Sequence, residues 1–237
     1  MSNPVHGAVS IGANGRRPMF DVTLSFDNGP EPTVTPGVLD VLAREAVPAT
    51  FFVIGTKLMR ASELAARAHE EGHWLGNHTW SHSVPLGLRT DPGAAEVEIG
   101  QTETALGDLR RPERLFRPFA GKGRGGELGP TLLSPLAVRY LERGRFTCVT
   151  WNVLAREWER PHDWVEPAVA LCAAQTHALI VLHDLPNGAM DRLPEFIAAV
   201  RARGGRFRQD FPASTILIDR GTVVQPLAPY MPAPACP

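Results

Sequence analysis

The sequence predicts an α/β protein built on a parallel sheet, which could be open or closed. Short β-rich apolar runs alternate with amphipathic segments of helical periodicity, roughly seven times along the 237 residues. No internal linker interrupts this alternation, and polar residues follow several of the predicted strands. We therefore expect one domain over residues 20–220, preceded by an N-terminal lead (1–19) and followed by a Pro-rich tail (221–237).

The predicted strands are runs of β-branched, aromatic and aliphatic residues, most of them bounded by turn formers. The first run, D-V-T-L-S-F, stops at the turn sequence D-N-G-P. The later runs are equally short, as expected for buried strands of a parallel sheet. The predicted strands are Asp21–Phe26, Ala49–Gly55, His73–Asn77, Leu115–Pro118, Phe146–Trp151, Ala178–His183 and Thr215–Ile218.

The predicted helices lie between these strands and carry start and stop signals. Pro36 falls in a first turn, Ser62 can cap a helix start, and Gly72, Gly144 and Gly204 follow helix ends. The predicted helices are Pro36–Ala46, Ser62–Glu71, Glu96–Leu109, Leu132–Arg143, Asp163–Ala174 and Leu193–Arg203.

Charge and hydropathy exclude two classes of partner. Lys and Arg number 24 against 25 Asp and Glu, so no basic surplus favours nucleic acid or an anionic membrane. No apolar run approaches the length of a membrane span. We expect neither a nucleic-acid partner nor a membrane partner, and the sequence does not indicate the oligomeric state.

The cysteines and the N-terminal residues predict the compartment. Cys148, Cys172 and Cys236 are odd in number and form no C-x-x-C, which favours reduced thiols. The residues before Phe20 have no apolar h-region, and Arg16-Arg17 runs directly into a strand. We therefore expect a cytoplasmic protein.

The sequence G-H-W-L-G-N-H-T-W-S-H at 72–82 carries two histidines four residues apart, His78 and His82. On a helical turn, or a tight loop imitating one, this spacing lets two imidazoles bind one metal ion. No glutamate follows His78 directly, so the H-E-x-x-H metalloprotease motif is absent. With eight histidines in the chain, such a spacing can also arise by chance.

Several polar residues fall at the predicted carboxyl ends of strands, where barrel enzymes carry their chemistry. Each also has an ordinary structural interpretation: D-N-G-P is a good turn, an arginine can lie on the surface, and a strand-end histidine can be a satisfied core group. Their regular placement favours one shared site. No G-x-G-x-x-G follows the first strand, which disfavours a dinucleotide site. The strand-end residues are Asp27, Asn28, His78, Arg117, Asn152, His183 and Asp184.

At these residues the sequence resembles the polysaccharide deacetylase family, the NodB-homology domains of carbohydrate esterase family 4. The family motifs correspond to S-F-D-N-G-P at 25–30, H-T-W-S-H at 78–82, R-P-F-A-G at 117–121, W-N-V-L-A-R-E-W at 151–158 and L-I-V-L-H at 179–183. The resemblance covers roughly residues 20–205. It implies a distorted (β/α)7–8 barrel and hydrolysis of an N-acetyl group from an oligosaccharide or small-molecule substrate.

The chemistry of amide hydrolysis assigns expected roles to these residues. A divalent ion, expected to be zinc, would polarise the carbonyl and lower the pKa of the attacking water, with His78 and His82 as ligands. Asp27 would act as general base and His183 as general acid. The backbone N–H near Phe119 would stabilise the oxyanion.

The resemblance adds further roles. It implies that Arg117 holds Asp27, and that Asn28 takes the place of the metal-binding aspartate. It also groups Trp151, Asn152 and Trp158 with the substrate. Trp151 and Trp158 could equally be core residues.

Three departures from the family pattern bear on the chemistry. Asn28 is neutral where the family has an aspartate, so the metal should be weakly held. Phe119 replaces a tyrosine. In the fourth motif Asn152 and Leu154 stand where acidic residues are expected and Glu157 is the only acid, so a carboxylate partner for His183 is either missing or supplied from elsewhere.

Three functions are compatible with these residues. The first is a metal-dependent deacetylase of an amino sugar or oligosaccharide. The second is a hydrolase of a small non-sugar amide or cyclic imide with weak or no metal, similar to the allantoinase-like and imidase branches of the superfamily. The third is a silent carbohydrate-binding relic, against which the retention of both Asp27 and His183 argues.

Overall fold

The computed structural model of the chain describes residues 19–120 and 127–233. The predicted lead (apart from Met19), the sequence G-K-G-R-G-G at 121–126 and Cys236 therefore lie outside the described residues. Ten strands form one sheet in the described part: β1 (Phe20–Asp27), β2 (Ala49–Val53), β3 (Trp74–Asn77), β4 (Leu115–Phe116), β5 (Thr147–Val149), β6 (Val153–Leu154), β7 (His177–His183), β8 (Gly205–Arg208), β9 (Ile216–Asp219) and β10 (Thr222–Val223).

The sheet is curled into a distorted barrel. Its strand order is β10-β9-β5-β4-β3-β2-β1-β7-β6, with β8 also joined to β1. Strands β1 to β8 pair in parallel, whereas β9 is antiparallel to both β5 and β10. β5 ends at Val149 and β6 begins at Val153, yet the two lie far apart in the strand order. Four residues span at most about 14 Å, so the sheet must curl until these strands approach. The prediction of a distorted (β/α) barrel is confirmed.

Strand β1 has one apolar and one polar face. Val22, Leu24 and Phe26 belong to the core between sheet and helices, as the twofold side-chain period of a strand requires. Ser25 and Asp27 point the other way, into the barrel, where both are buried. The barrel interior therefore holds polar groups beside a small apolar cluster formed by Phe52, Leu115, Val149 and Leu179.

The helices cover the outside of the curled sheet. Pro36, which lacks an N–H, occupies the first turn of the first helix as predicted. The seven α-helices of the described residues are α1 (Thr35–Glu45), α2 (Gly55–Leu58), α3 (Ser62–Glu70), α4 (Gln101–Leu106), α5 (Pro135–Arg143), α6 (Val165–Ala173) and α7 (Leu193–Ala202).

Two predicted helices differ clearly at their starts, one by three residues and one by its helix type. The helix predicted from Leu132 starts at Pro135, because Ser134 Oγ accepts a hydrogen bond from the N–H of Ala137 and so caps the helix there. The helix predicted over 96–109 begins with a π-helical turn at Glu96–Gly100, which is followed by α4. π-Helical turns frequently mark functional sites.

The prediction from the sequence did not include the shortest strands, and the C-terminal residues make more packing contacts than predicted. The strand predicted over 146–151 is shorter in the structure, and the two-residue strand β6 follows it. Beyond residue 221, β10 pairs with β9, and Leu227, Tyr230 and Met231 pack on a core cluster. The division into lead, domain and tail stays a prediction.

Two further expectations concern the described residues. Cys148 and Cys172 are buried free thiols, and burial raises the pKa of each to about 12.

Among the described residues, no helix has the length and apolar character needed to cross a membrane.

Candidate active site

The candidate residues meet at the carboxyl ends of neighbouring strands. Asp27 and His183 are the last residues of β1 and β7, and they stand opposite each other in the register of this parallel pair. His78 directly follows β3, and Arg117 directly follows β4. The shared edge predicted from the sequence is therefore present.

Arg117 and Asp27 form a buried ion pair. The Nη1 of Arg117 donates to Asp27 Oδ1 at 2.8 Å and to Ser25 Oγ at 2.8 Å. Nη2 donates to the carbonyl of Thr150, and the guanidinium carbon lies 4.0 Å from the centre of the Phe52 ring. Burial lowers the pKa of Arg117, whereas the charge of Asp27 opposes that shift. Arg117 is thus fixed from several sides, and it orients one carboxylate oxygen of Asp27.

The other oxygen of Asp27 faces His78. His78 Nε2 lies 3.6 Å from Asp27 Oδ2, and both side chains are almost fully buried. His78 Nδ1 lies 2.9 Å from the carbonyl oxygen of Arg117. A carbonyl can only accept, so Nδ1 carries the proton and Nε2 has a free lone pair in the neutral ring. Burial lowers the pKa of His78, which favours that neutral form.

His82 lies beside His78 on a loop rather than on a helix. Their ring centres are 4.9 Å apart, and the His82 ring centre lies 3.8 Å from that of Phe119. We call residues 78–82 the histidine loop. Within it, Thr79 and His82 have φ angles of 69° and 51°. Left-handed backbone costs about 1–2 kcal/mol for each such residue, so neighbouring contacts must hold this loop.

Asn28 offers a buried oxygen without a partner. Among the side-chain atoms of the described residues, Asn28 Oδ1 is buried and has no hydrogen-bond partner. Such an orphaned acceptor is costly unless it binds something. The donor set of one amide oxygen and two imidazole nitrogens suits a divalent cation of the zinc type. No group of three or more His, Cys, Asp or Glu side chains arranged for a metal occurs in residues 19–120 or 127–233. A three-ligand metal site would therefore need the Asn28 amide oxygen as its third ligand.

His183 has a carboxylate partner that the sequence left open. Its Nδ1 lies 2.7 Å from Glu157 Oε1, and Glu157 is 1% exposed. Burial acts to lower the pKa of His183, but the hydrogen bond and charge of Glu157, together with the charges of Asp27 and Asp184, raise that pKa. Trp158 meets the His183 ring edge-on, with centres 4.8 Å apart. Glu157 is the only acidic residue of W-N-V-L-A-R-E-W, and this was the signal that could have identified it.

The remaining two candidates of the fourth motif, Trp151 and Asn152, are adjacent in the chain, but their side chains make different contacts. The half-buried Trp151 ring lies 5.7 Å from the guanidinium carbon of Arg117. The amide of Asn152 instead bonds to the backbone of β7: Nδ2 donates to the carbonyl of His177, and Oδ1 accepts from the N–H of Leu179. The structure therefore brings Trp151 to the Arg117 cluster and uses the Asn152 amide to attach the segment just before β6 to β7.

A second buried carboxylate, Asp184, supports the Asn28 turn from behind. Thr35 Oγ1 accepts from the N–H of Glu31 and donates to Asp184 Oδ2. A Cβ on Gly29 would lie 2.7 Å from Asp184 Oδ1, so a glycine is needed for this close approach. Burial raises the pKa of Asp184 to about 6. The Gly29–Pro30 peptide bond in this turn is cis.

Comparisons with known proteins give concordant results. The family model "Polysaccharide deacetylase" matches residues 14–124. A chitooligosaccharide deacetylase of Bradyrhizobium is 35% identical over 167 residues, covering 69% of this chain and 70% of the relative. A peptidoglycan N-acetylglucosamine deacetylase of Listeria monocytogenes is 27% identical over 188 residues, which cover 78% of this chain but 37% of that longer protein. The structure of an acetyl xylan esterase from Clostridium thermocellum, solved with a cobalt ion, superposes with a TM-score of 0.62 at 26% identity, covering 79% of this chain and 86% of that one.

Proposed function

The chain belongs to the polysaccharide deacetylase family and is an amide hydrolase of that family, and we propose that it removes the N-acetyl group from N-acetylglucosamine units of an oligosaccharide with the help of a divalent metal ion. One observation carries the proposal. Asp27 and His183 end adjacent strands in register, and each is held by its own buried partner, Arg117 and Glu157 respectively.

The substrate class follows from the relatives. The matched proteins of Bradyrhizobium and Listeria act on chitooligosaccharide and on peptidoglycan N-acetylglucosamine, and both substrates carry the same acetylated amino sugar. The half-buried Trp158 meets the His183 ring, and the half-buried Trp151 lies near Arg117; both rings offer flat apolar surfaces. We assign these two rings to the substrate side of the site. Asn152, which the sequence grouped with them, has both ends of its amide bonded to the backbone of β7 and is left out of this assignment.

Proton transfer is carried by two side chains. Asp27 Oδ2 takes the proton of the attacking water, while Arg117 orients the carboxylate through Oδ1. His183 Nε2 gives a proton to the departing amine, which is a poor leaving group until it is protonated. The contact of His183 Nδ1 with Glu157 stabilises the charged imidazolium that this step requires. The backbone N–H of Phe119 is assigned to the oxyanion.

The ligands assigned to the metal are His78 Nε2, His82 and Asn28 Oδ1, and we expect zinc. When bound, the ion would polarise the acetyl carbonyl and acidify the attacking water. These three ligands carry no negative charge to balance the ion, so we expect weaker binding than with an aspartate at position 28. His78 is already oriented by the carbonyl of Arg117, as ligating histidines generally are.

The neutral ligand set also supports the second function considered from the sequence. A site whose ligands are all neutral suits a hydrolase of small amides or cyclic imides that binds its metal weakly or works without one. The cytoplasm stays our prediction for the location of the protein, and it is compatible with either substrate.

One screen separates the two functions. Native protein, purified without chelators, is assayed on chito-oligosaccharides and on cyclic imides, before and after metal removal and with zinc restored. We expect acetate release from chito-oligosaccharides that disappears with the metal and returns with zinc. Imide hydrolysis that survives metal removal would instead establish the second function.

A further inference from the structure

We propose that Glu98 is a positioning residue that holds the histidine loop in shape and thereby places His82. This inference rests on the proposed function, because it concerns the geometry of the assigned metal ligands. Glu98 lies on the π-helical turn Glu96–Gly100, outside the five family motifs.

Three hydrogen bonds tie Glu98 to the loop. Its Oε2 accepts from the backbone N–H groups of Trp80 and Ser81, at 3.1 and 2.9 Å. Its Oε1 accepts from the Ser81 hydroxyl at 2.7 Å and from Arg89 Nη1 at 3.3 Å. Glu98 is 3% exposed. A buried carboxylate that accepts two backbone N–H groups is a strong and directional anchor.

The opposite edge of the loop is bound separately. The carbonyls of Thr79 and Trp80 accept from the N–H groups of Gly55 and Thr56 at the start of α2. The N–H groups of Trp80 and Ser81 bond to the Glu98 carboxylate on the other side. Buried N–H groups need a partner, so removing Glu98 would leave these two without their acceptor in the middle of the loop.

The base of the loop is attached to the same π-helical turn. Asn77 Nδ2 donates to the carbonyl of Ile99, and Asn77 Oδ1 accepts from the N–H of Thr79. Asn77 and Glu98 together therefore hold the loop from Thr79 to Ser81, the residue before His82.

The backbone of the loop explains why such an anchor is needed. Thr79 and His82 both have left-handed φ angles, and Thr79 is β-branched, for which this conformation is a genuine outlier. Such residues persist only when surrounding contacts enforce them. Without Glu98 the segment can relax towards ordinary backbone, and the His82 ring would then leave its place beside His78 and Phe119.

The test compares four variants with the native protein. Glu98→Ala removes the acceptor. Glu98→Gln keeps one oxygen for the two backbone N–H groups and is the conservative rescue. Glu98→Asp keeps the charge but withdraws the carboxylate by one methylene, and it replaces the alanine variant if that protein does not fold. Glu103→Gln is the matched control, because Glu103 is also buried on this helical segment but pairs with Arg114.

Two quantities are measured on metal-free protein: the zinc dissociation constant by equilibrium dialysis and the hydrogen exchange of the Trp80 and Ser81 amides by NMR. We expect Glu98→Ala and Glu98→Asp to bind zinc at least about tenfold more weakly and to exchange both amides faster. Glu98→Gln and Glu103→Gln should stay within about threefold of native.

The outcomes separate this inference from the function on which it rests. Native zinc affinity in Glu98→Ala, or equal losses in Glu98→Ala and Glu103→Gln, would overturn the assignment of Glu98. A native protein that binds no zinc would overturn the metal of the proposed function instead. In that case the hydrogen exchange of the Trp80 and Ser81 amides tests the role of Glu98. Faster exchange in Glu98→Ala but not in Glu98→Gln would support the positioning role, and unchanged exchange would overturn it.

Discussion

His183 Nδ1 lies 2.7 Å from Glu157 Oε1, and this contact joins the proposed general acid to a carboxylate with 1% exposure. Because Nδ1 is held by Glu157, Nε2 is the nitrogen available to the substrate. The Glu157 carboxylate thus determines that Nε2 of His183 faces the substrate, and it also favours the protonated, charged imidazolium.

The first prediction concerns the pH dependence of activity. Glu157 raises the pKa of His183 against the opposing effect of burial, so Glu157→Gln should lower it. His183 acts in its protonated form, and kcat falls as the pH rises through its pKa. We therefore expect the alkaline limb of the kcat profile to move to lower pH in Glu157→Gln. The exposed Glu159, which pairs with Arg156, provides the control Glu159→Gln, whose kcat profile should match the native one. If the alkaline limb stayed in place in Glu157→Gln, the pairing of Glu157 with His183 would be refuted.

The second prediction separates chemistry from stability at Asp27. Asp27→Asn should reduce kcat by about 10²–10⁴-fold, as for loss of a general base. It also leaves the buried Arg117 without its counter-charge, so the free energy of unfolding should fall by about 3 kcal/mol. Activity on an acetylated chito-oligosaccharide and urea denaturation measure the two effects. Asp21→Asn, near the opposite end of β1, removes partly exposed pairs with Arg206 and Arg208 and should cost about 1 kcal/mol with normal activity. Equal activity losses in both variants would argue against the base.

The third prediction asks whether Asn28 contacts the metal. Asn28→Asp keeps the side-chain shape and adds a negative charge next to a +2 ion. We expect zinc to bind at least about tenfold more tightly, which corresponds to about 1.4 kcal/mol. The added charge also weakens the ion as a Lewis acid and lies beside Asp27, so kcat need not rise. Zinc titration into chelator-stripped protein measures this effect, and the variant His78→Ala is titrated in the same way as a control. Identical zinc affinities for native and Asn28→Asp protein would show that position 28 does not contact the ion.

The fourth prediction concerns stability against pH. The pKa of Asp184 is raised by burial to about 6 from an ordinary value of 3.8, so the folded protein binds this proton more tightly than the unfolded chain does. The stability contributed by the proton is complete below about pH 4 and is lost as the pH rises through 6. Between these limits native protein should lose up to about 3 kcal/mol relative to Asp184→Asn. Urea denaturation from pH 4 to 8 measures the difference, and Asp40→Asn controls for loss of a surface carboxylate. Parallel curves for native and Asp184→Asn protein would contradict the prediction.

The fifth prediction tests the close approach at Gly29. A methyl group there would overlap the Asp184 carboxylate, so Gly29→Ala should destabilise the fold by about 1–3 kcal/mol and reduce activity by displacing Asn28. Gly37 in α1 has open space around its Cα, and Gly37→Ala should instead stabilise the protein by up to about 1 kcal/mol. Thermal unfolding of both variants makes the comparison. If Gly29→Ala were as stable and as active as the native protein, Asp184 would not support this turn.

Much of this architecture could be predicted because it depends on local patterns. Strand-end polar residues such as Asp27 and His183 follow directly from apolar runs and turn residues. Other features depend on contacts between distant segments and leave little local signal. The two-residue strand β6 is too short to show periodicity, and Glu157 reaches His183 only because the loop after β6 folds back. The roles of Asn152 and Glu98 lie in backbone hydrogen bonds, which a sequence does not display.

The neighbours of β1 also determine when this enzyme can first work during its own synthesis. Strand β1 pairs with β7 over Asp21–Asp27 on one side, and on the other with β8 over Phe20–Thr23 and with β2 over Leu24–Asp27. The ribosome has released Asp27 long before it makes His183, which stands opposite it. A nascent chain can therefore form the β1–β2 pair early, but the proton donor and the β8 edge must come from its last third. Assembly of the site waits for nearly the whole domain, so a ribosome-bound fragment that ends before residue 177 would hold the proposed base without the proposed acid.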